Sequence, residues 1–117
     1  MAAFGTQPSV CRRSASFSRL DGGKVDIASV FTTEGQLAGD KYVVLADPRG
    51  LFASGHVAPI LSRKVLDAHG ADLQMAIDAV TRSLTTIAMR RMNAAVDLNG
   101  DKPAAVATAF LRTRKLL

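Results

Sequence analysis

The sequence predicts an α/β fold, with short strands followed by C-terminal helices, on two observations. Three apolar runs of strand length, residues 25–31, 42–46 and 57–61, are separated by clusters of Gly, Asp and Pro. From residue 63 onward the apolar side chains recur at helical spacing instead.

Residues 1–20 (MAAFGTQPSVCRRSASFSRL) are Ser-rich, hold three arginines and no acidic residue, and show no apolar periodicity. A poorly specified, disordered start is the expectation there, although organelle transit peptides share the composition. Residues 21–117 are expected to hold the folded part. Gly22 and Gly23 mark a turn. Residues 25–31 then read as a strand with Val25 and Ile27 on one face. Thr32 or Thr33 is placed to cap a short helix through Leu37, because a hydroxyl accepts an orphan backbone N–H, and Gly39 closes it. Residues 42–46 form a near-continuous apolar run, the pattern of a strand covered on both faces. Asp47, Pro48, Arg49 and Gly50 make a turn. Residues 57–61 read as a third strand, which Pro59 confines to a sheet edge or an irregular crossing.

In the second half, residues 63–68 predict a short helix closed by Gly70. Residues 71–84 predict an amphipathic one, with Leu73, Ala76, Ile77, Val80 and Leu84 along one stripe. Thr85 is the expected cap of a helix over residues 86–95, with Met89, Met92 and Val96 on one face. Asp101 is the expected cap of the last helix, residues 103–113. Pro103 lies in its first turn and Val106, Ala107, Phe110 and Leu111 form its apolar face.

Composition is that of an ordinary globular protein: 48% apolar and 21% charged residues, with a net charge of +5. The basic residues are scattered, aromatics make up 5% and there is no Trp. A nucleic-acid site wants clustered cations with stacking rings, so none is expected. Arg112, Arg114 and Lys115 fall where cations offset a helix dipole. No apolar run is long enough to cross a bilayer, and no apolar signal core lies near Met1. The single cysteine, Cys11, forms no internal disulfide. Two histidines and one distant cysteine make no metal set. Residues 97–101 (DLNGD) lack the spacing and the closing glutamate of a calcium loop and read as an inter-helix turn. Ser54 and His56 have no third partner for a catalytic triad, and there is no phosphate loop. No cofactor and no enzyme activity are expected.

The order of motifs resembles the C-terminal part of the substrate-binding proteins of ABC importers for glycine betaine, choline and related osmoprotectants. A Val25-Asp26 strand ends in the aromatic Phe31 and a Thr32-Thr33-Glu34 turn. Val43-Val44-Leu45-Ala46-Asp47-Pro48, a loop with Gly50 and Phe52, and Val57-Ala58-Pro59 follow. The tail continues through Leu84-Thr85, Asn93 with Val96-Asp97, Asp101-Lys102-Pro103, and Val106-Ala107 with Phe110-Leu111. The resemblance implies a fragment of a two-lobed periplasmic-binding-protein (type II) fold, because family members are considerably longer. It further implies an extracytoplasmic (periplasmic or cell-surface) location, a small polar solute such as a quaternary amine, and an ABC permease of the membrane as partner. Apolar surface left bare by a fragment would favour self-association.

Two candidate sites follow. At the Phe31-Thr32-Thr33 turn, ligands are expected outside the end of a strand, and free N–H groups favour a carboxylate. The family implies that Phe31 is one wall of a cation cage, a ring face attracting a quaternary ammonium. The competing reading is a core Phe31 and a capping Thr32. The second site is the loop with Phe52 and His56. Many quaternary-amine binders carry a tyrosine where this chain has Gly55. That departure bears on the solute more than on the fold, and His56 stands in as a polar contact or is a plain loop residue. The ligand-binding expectation is therefore Phe31, Thr32, Thr33, Phe52 and His56. A stand-alone interaction or regulatory α/β module without transport function is the alternative.

Overall fold

The computed structural model describes residues 13–52 and 57–117. These fall into two compact units, Met1–Phe31 and Thr32–Leu117.

In the first unit, helix α1 spans Arg13–Asp21. Its end is a glycine-terminated helix stop. Gly23 takes φ 62°, Lys24 N–H donates to the Arg19 carbonyl at 2.9 Å, and Gly23 N–H donates to that of Leu20 at 3.0 Å. Phe17, the large apolar residue at the middle of α1, is buried.

The second unit holds a single-turn 3₁₀ helix, Gly35–Ala38, and three α-helices: α2 (Arg63–Ser83), α3 (Thr86–Asp97) and α4 (Pro103–Thr113). Ser62 caps α2 by accepting from Val65 N–H at 3.3 Å. At Gly70 the helix kinks, with φ 67° and ψ −158°, a conformation that glycine adopts without steric cost. Thr85 caps α3 by accepting from Ala88 N–H at 3.1 Å. Both hydroxyls meet donors that a helix start leaves unpaired. Gly100, at φ 77°, turns the chain after α3; its N–H and that of Asp101 return to the carbonyls of Val96 and Ala95. Of the residues 97–101, Asp97 ends α3 and the other four make the inter-helix turn. Pro103 opens α4, where its missing N–H costs no helix bond. The expected cap at Asp101 is not used: Lys102 occupies the cap position, with no side-chain bond. Arg114 stacks over the Phe110 ring, 5.7 Å from its centroid.

The α/β expectation is corrected here. Among the described residues every ordered element is a helix, and residues 25–31, 42–46 and 57–61 form no strand. The physical reason lies in where each element finds its hydrogen bonds. A helix pairs its own N–H and C=O groups, whereas a strand takes its bonds from a neighbour. The backbone of residues 43–46 and 57–61 makes no hydrogen bond to any described residue. Their side chains are bare too: Val43 is 85% exposed and Ile60 95%.

What holds the second unit together is α3, which contacts both the 3₁₀ turn and α4. Leu37 and Ala88 are its buried apolar side chains among the described residues. Met89, Met92 and Val96 on α3, and Val106, Phe110 and Leu111 on α4, are half-buried.

Candidate functional site

The segment that carries the Thr32-Thr33-Glu34 turn is fixed to α3 by its main chain. Asn93 Nδ2 donates to the Thr33 carbonyl at 2.7 Å, and Arg90 Nε donates to the Thr32 carbonyl. Arg90 and Asn93 are three residues apart on a helix, so they share a face. Each presents a donor to one of two consecutive carbonyls that no helix or sheet satisfies. The backbone approach is close enough to require glycine next in line. A Cβ on Gly35 would lie 2.7 Å from the Ala94 nitrogen and 2.9 Å from the Asn93 carbonyl carbon.

These contacts change the roles expected for the two threonines. Neither caps the following turn: Glu34 occupies its cap position, without a side-chain bond. Both threonines lie before the cap position, and their carbonyls accept from α3. Thr32 is exposed and Thr33 half-buried. Neither hydroxyl bonds to another described residue. Beside them the Gln36 side-chain oxygen is buried without a hydrogen-bond partner.

Phe52 sits in a separate, internally ordered loop. The Asp47 carboxylate accepts from Phe52 N–H at 2.8 Å, and the Asp47 carbonyl accepts from Gly50 N–H at 3.2 Å, with Gly50 at φ 61°. The Phe52 ring is 73% exposed. The Phe52 N–H, and after it that of Leu51, holds the Asp47 carboxyl below its ordinary value; smaller contributions come from Arg49 and Gly50 N–H, against a desolvation effect of opposite sign. A carboxyl depressed in the folded loop stabilises it above the unfolded pKa. That stabilisation fades as pH falls through the depressed value. The Phe52 amide proton is therefore expected to titrate with a midpoint below 3.8, and to lose its downfield position in Asp47→Ala at neutral pH. Proton NMR across the acid range checks both; a midpoint at or above 3.8 would contradict the carboxylate clamp.

Of the expected binding residues, the second unit brings Thr32 and Thr33 together on α3. No hydrogen bond links Phe52 to that turn among the described residues. Phe31 closes the first unit with its ring 66% exposed, and His56 lies outside the described residues. Sequence reasoning missed Arg90, Asn93 and Gly35 as the residues that set the turn. Their signal was present in the polar pair at i and i+3, at the edge of the apolar face that Met89, Met92 and Val96 form. No group of three metal-ligating side chains occurs among the described residues. No described helix is long and apolar enough to cross a membrane.

Comparison with known proteins bears on this arrangement. A family model described as the substrate binding domain of an ABC-type glycine betaine transport system matches residues 12–113. A protein of Pseudomonas aeruginosa named glycine-betaine-binding protein is 33% identical over 86 residues, which make up 74% of this chain. The chain spans 27% of the length of that curated relative. No solved structure matches.

Proposed function

Because the chain belongs to the family of substrate-binding domains of ABC-type glycine betaine transport systems, we propose that it supplies part of a solute-binding component for glycine betaine, choline or a related osmoprotectant. The family match carries this reading: it extends over residues 12–113 and includes the Phe31–Thr33 turn, Phe52 and His56. The family binds its substrate and transforms nothing, so its chemistry is that of recognition. A quaternary ammonium is attracted to ring faces, which Phe31 and Phe52 supply. A carboxylate wants donors, which the hydroxyls of Thr32 and Thr33 offer, since neither bonds to another described residue. His56 is assigned a polar contact at the same solute.

The partners in this proposal are the small polar solute and an ABC permease, and the location is extracytoplasmic. The family match favours transport over a regulatory module. Association through exposed apolar surface belongs to the same proposal.

Isothermal titration with glycine betaine tests the reading on Phe31→Ala beside the unaltered chain. Loss of a cation–π wall is expected to weaken binding by about tenfold, since such a contact contributes on the order of 1–2 kcal/mol when desolvated. Equal affinities in the two proteins would remove Phe31 from the site.

A further inference from the structure

We infer that Arg90 is a specificity-determining residue of the solute site, selecting solutes that carry a carboxylate over those that carry only a quaternary ammonium. This rests on the solute-capture reading above and names the charge that decides between its solutes. Arg90 Nε donates to the Thr32 carbonyl, a residue 58 positions earlier, from the same face of α3 on which Asn93 holds Thr33. The bond lies within the chain, so it places a guanidinium at the Thr32 turn whatever further segments cover that turn. An arginine side chain stays charged at any pH where a protein is folded.

Charge and donor geometry both point to a carboxylate as the group that Arg90 takes. The bond to Thr32 uses Nε alone, and the Nη donors of the planar fork bond to no described residue. All 10 acidic residues of the chain are described, and none forms an ion pair with Arg90. Glu34 is among them, although it lies two residues beyond Thr32. A guanidinium fork matches the two oxygens of a carboxylate, and a bond between charged partners is about twice as strong as a neutral one. Choline carries a hydroxyl in place of the carboxylate and a net positive charge. The same guanidinium repels it and finds no anionic acceptor on it. Specificity is a difference of two affinities, and one fixed cation moves these two in opposite directions.

Calorimetric titration of the full chain with glycine betaine and with choline tests it. The unaltered chain is expected to prefer glycine betaine. Arg90→Gln removes the charge and should weaken glycine betaine by about tenfold while leaving choline no weaker, so the preference narrows by at least that factor. Arg90→Lys keeps the charge without the fork and should retain part of the preference. Glu34→Gln removes a negative charge near the turn and should widen it. Added salt needs no variant, and by screening the guanidinium it should narrow the preference of the unaltered chain. A purely structural role for Arg90 gives a different pattern. Loosening the turn would weaken both solutes alike, and an unchanged ratio of affinities in Arg90→Gln would overturn the proposal. Equal affinities of the unaltered chain for the two solutes would overturn it as well and leave solute capture standing. Binding of neither solute by the unaltered chain would count against solute capture itself and remove this inference with it.

Discussion

Gly35→Ala is expected to lose about 1–3 kcal/mol of folding stability, the usual cost of forcing a methyl into a packed site. The neighbours of the added Cβ are backbone atoms of α3: the Ala94 nitrogen at 2.7 Å, its Cα at 2.8 Å and the Asn93 carbonyl carbon at 2.9 Å. No side chain can swing aside to make room. Either α3 withdraws from the 3₁₀ turn or the turn lifts off, and in both cases the bonds from Arg90 and Asn93 lengthen. Gly39→Ala is the matched control. It sits at the other end of the same turn with nothing within 4 Å of an added Cβ, and its φ of −101° suits any residue. There alanine should be neutral, or stabilising by about 0.4–1 kcal/mol through the unfolded chain. Urea unfolding followed by circular dichroism distinguishes the two. A Gly35→Ala curve superimposed on that of Gly39→Ala would mean that the close approach is absent in solution.

Asn93→Ala is the second large effect. It removes the donor to the Thr33 carbonyl from a partly buried position, and an acceptor left without a partner costs about 1–3 kcal/mol. Asn93→Asp should be worse at neutral pH, because a carboxylate is an acceptor only and would face another acceptor. Protonation gives that carboxyl an O–H to donate, so acidification should restore part of the loss in Asn93→Asp and none in Asn93→Ala. The Thr33 carbonyl carbon shift and urea midpoints, followed against pH, check this. Identical pH profiles for the two variants would contradict a hydrogen bond from Asn93 as the tether.

The contrast between helices and strands explains how far the sequence could be read. The start of α3 at Thr86, the span of α4 from Pro103 to Thr113 and the break at Gly70 were legible, because each depends on local chemistry: a capping hydroxyl, a proline in the first turn, a residue free to take positive φ. The apolar runs at 42–46 and 57–61 were legible as surface suited to burial, but not as strands. Pairing is a property of two segments, and the backbone of residues 43–46 and 57–61 hydrogen-bonds to no second segment among the described residues. The same limit applied at the Thr32-Thr33 turn. A threonine before a short helix reads as a cap, and only the folded chain shows its carbonyl taken by a residue 58 positions further on. The cap expected at Asp101 falls one residue short of the helix start: Lys102 takes the cap position, and its carbonyl accepts from Ala105 and Val106 N–H.

An amide proton–nitrogen correlation spectrum of the chain, titrated with glycine betaine, tests the central claim of a retained solute site most directly. Dispersed signals with shifts confined to Phe31, Thr32, Thr33, Phe52 and His56 are the predicted result. Dispersed signals that none of glycine betaine, choline, carnitine or proline perturbs would contradict it.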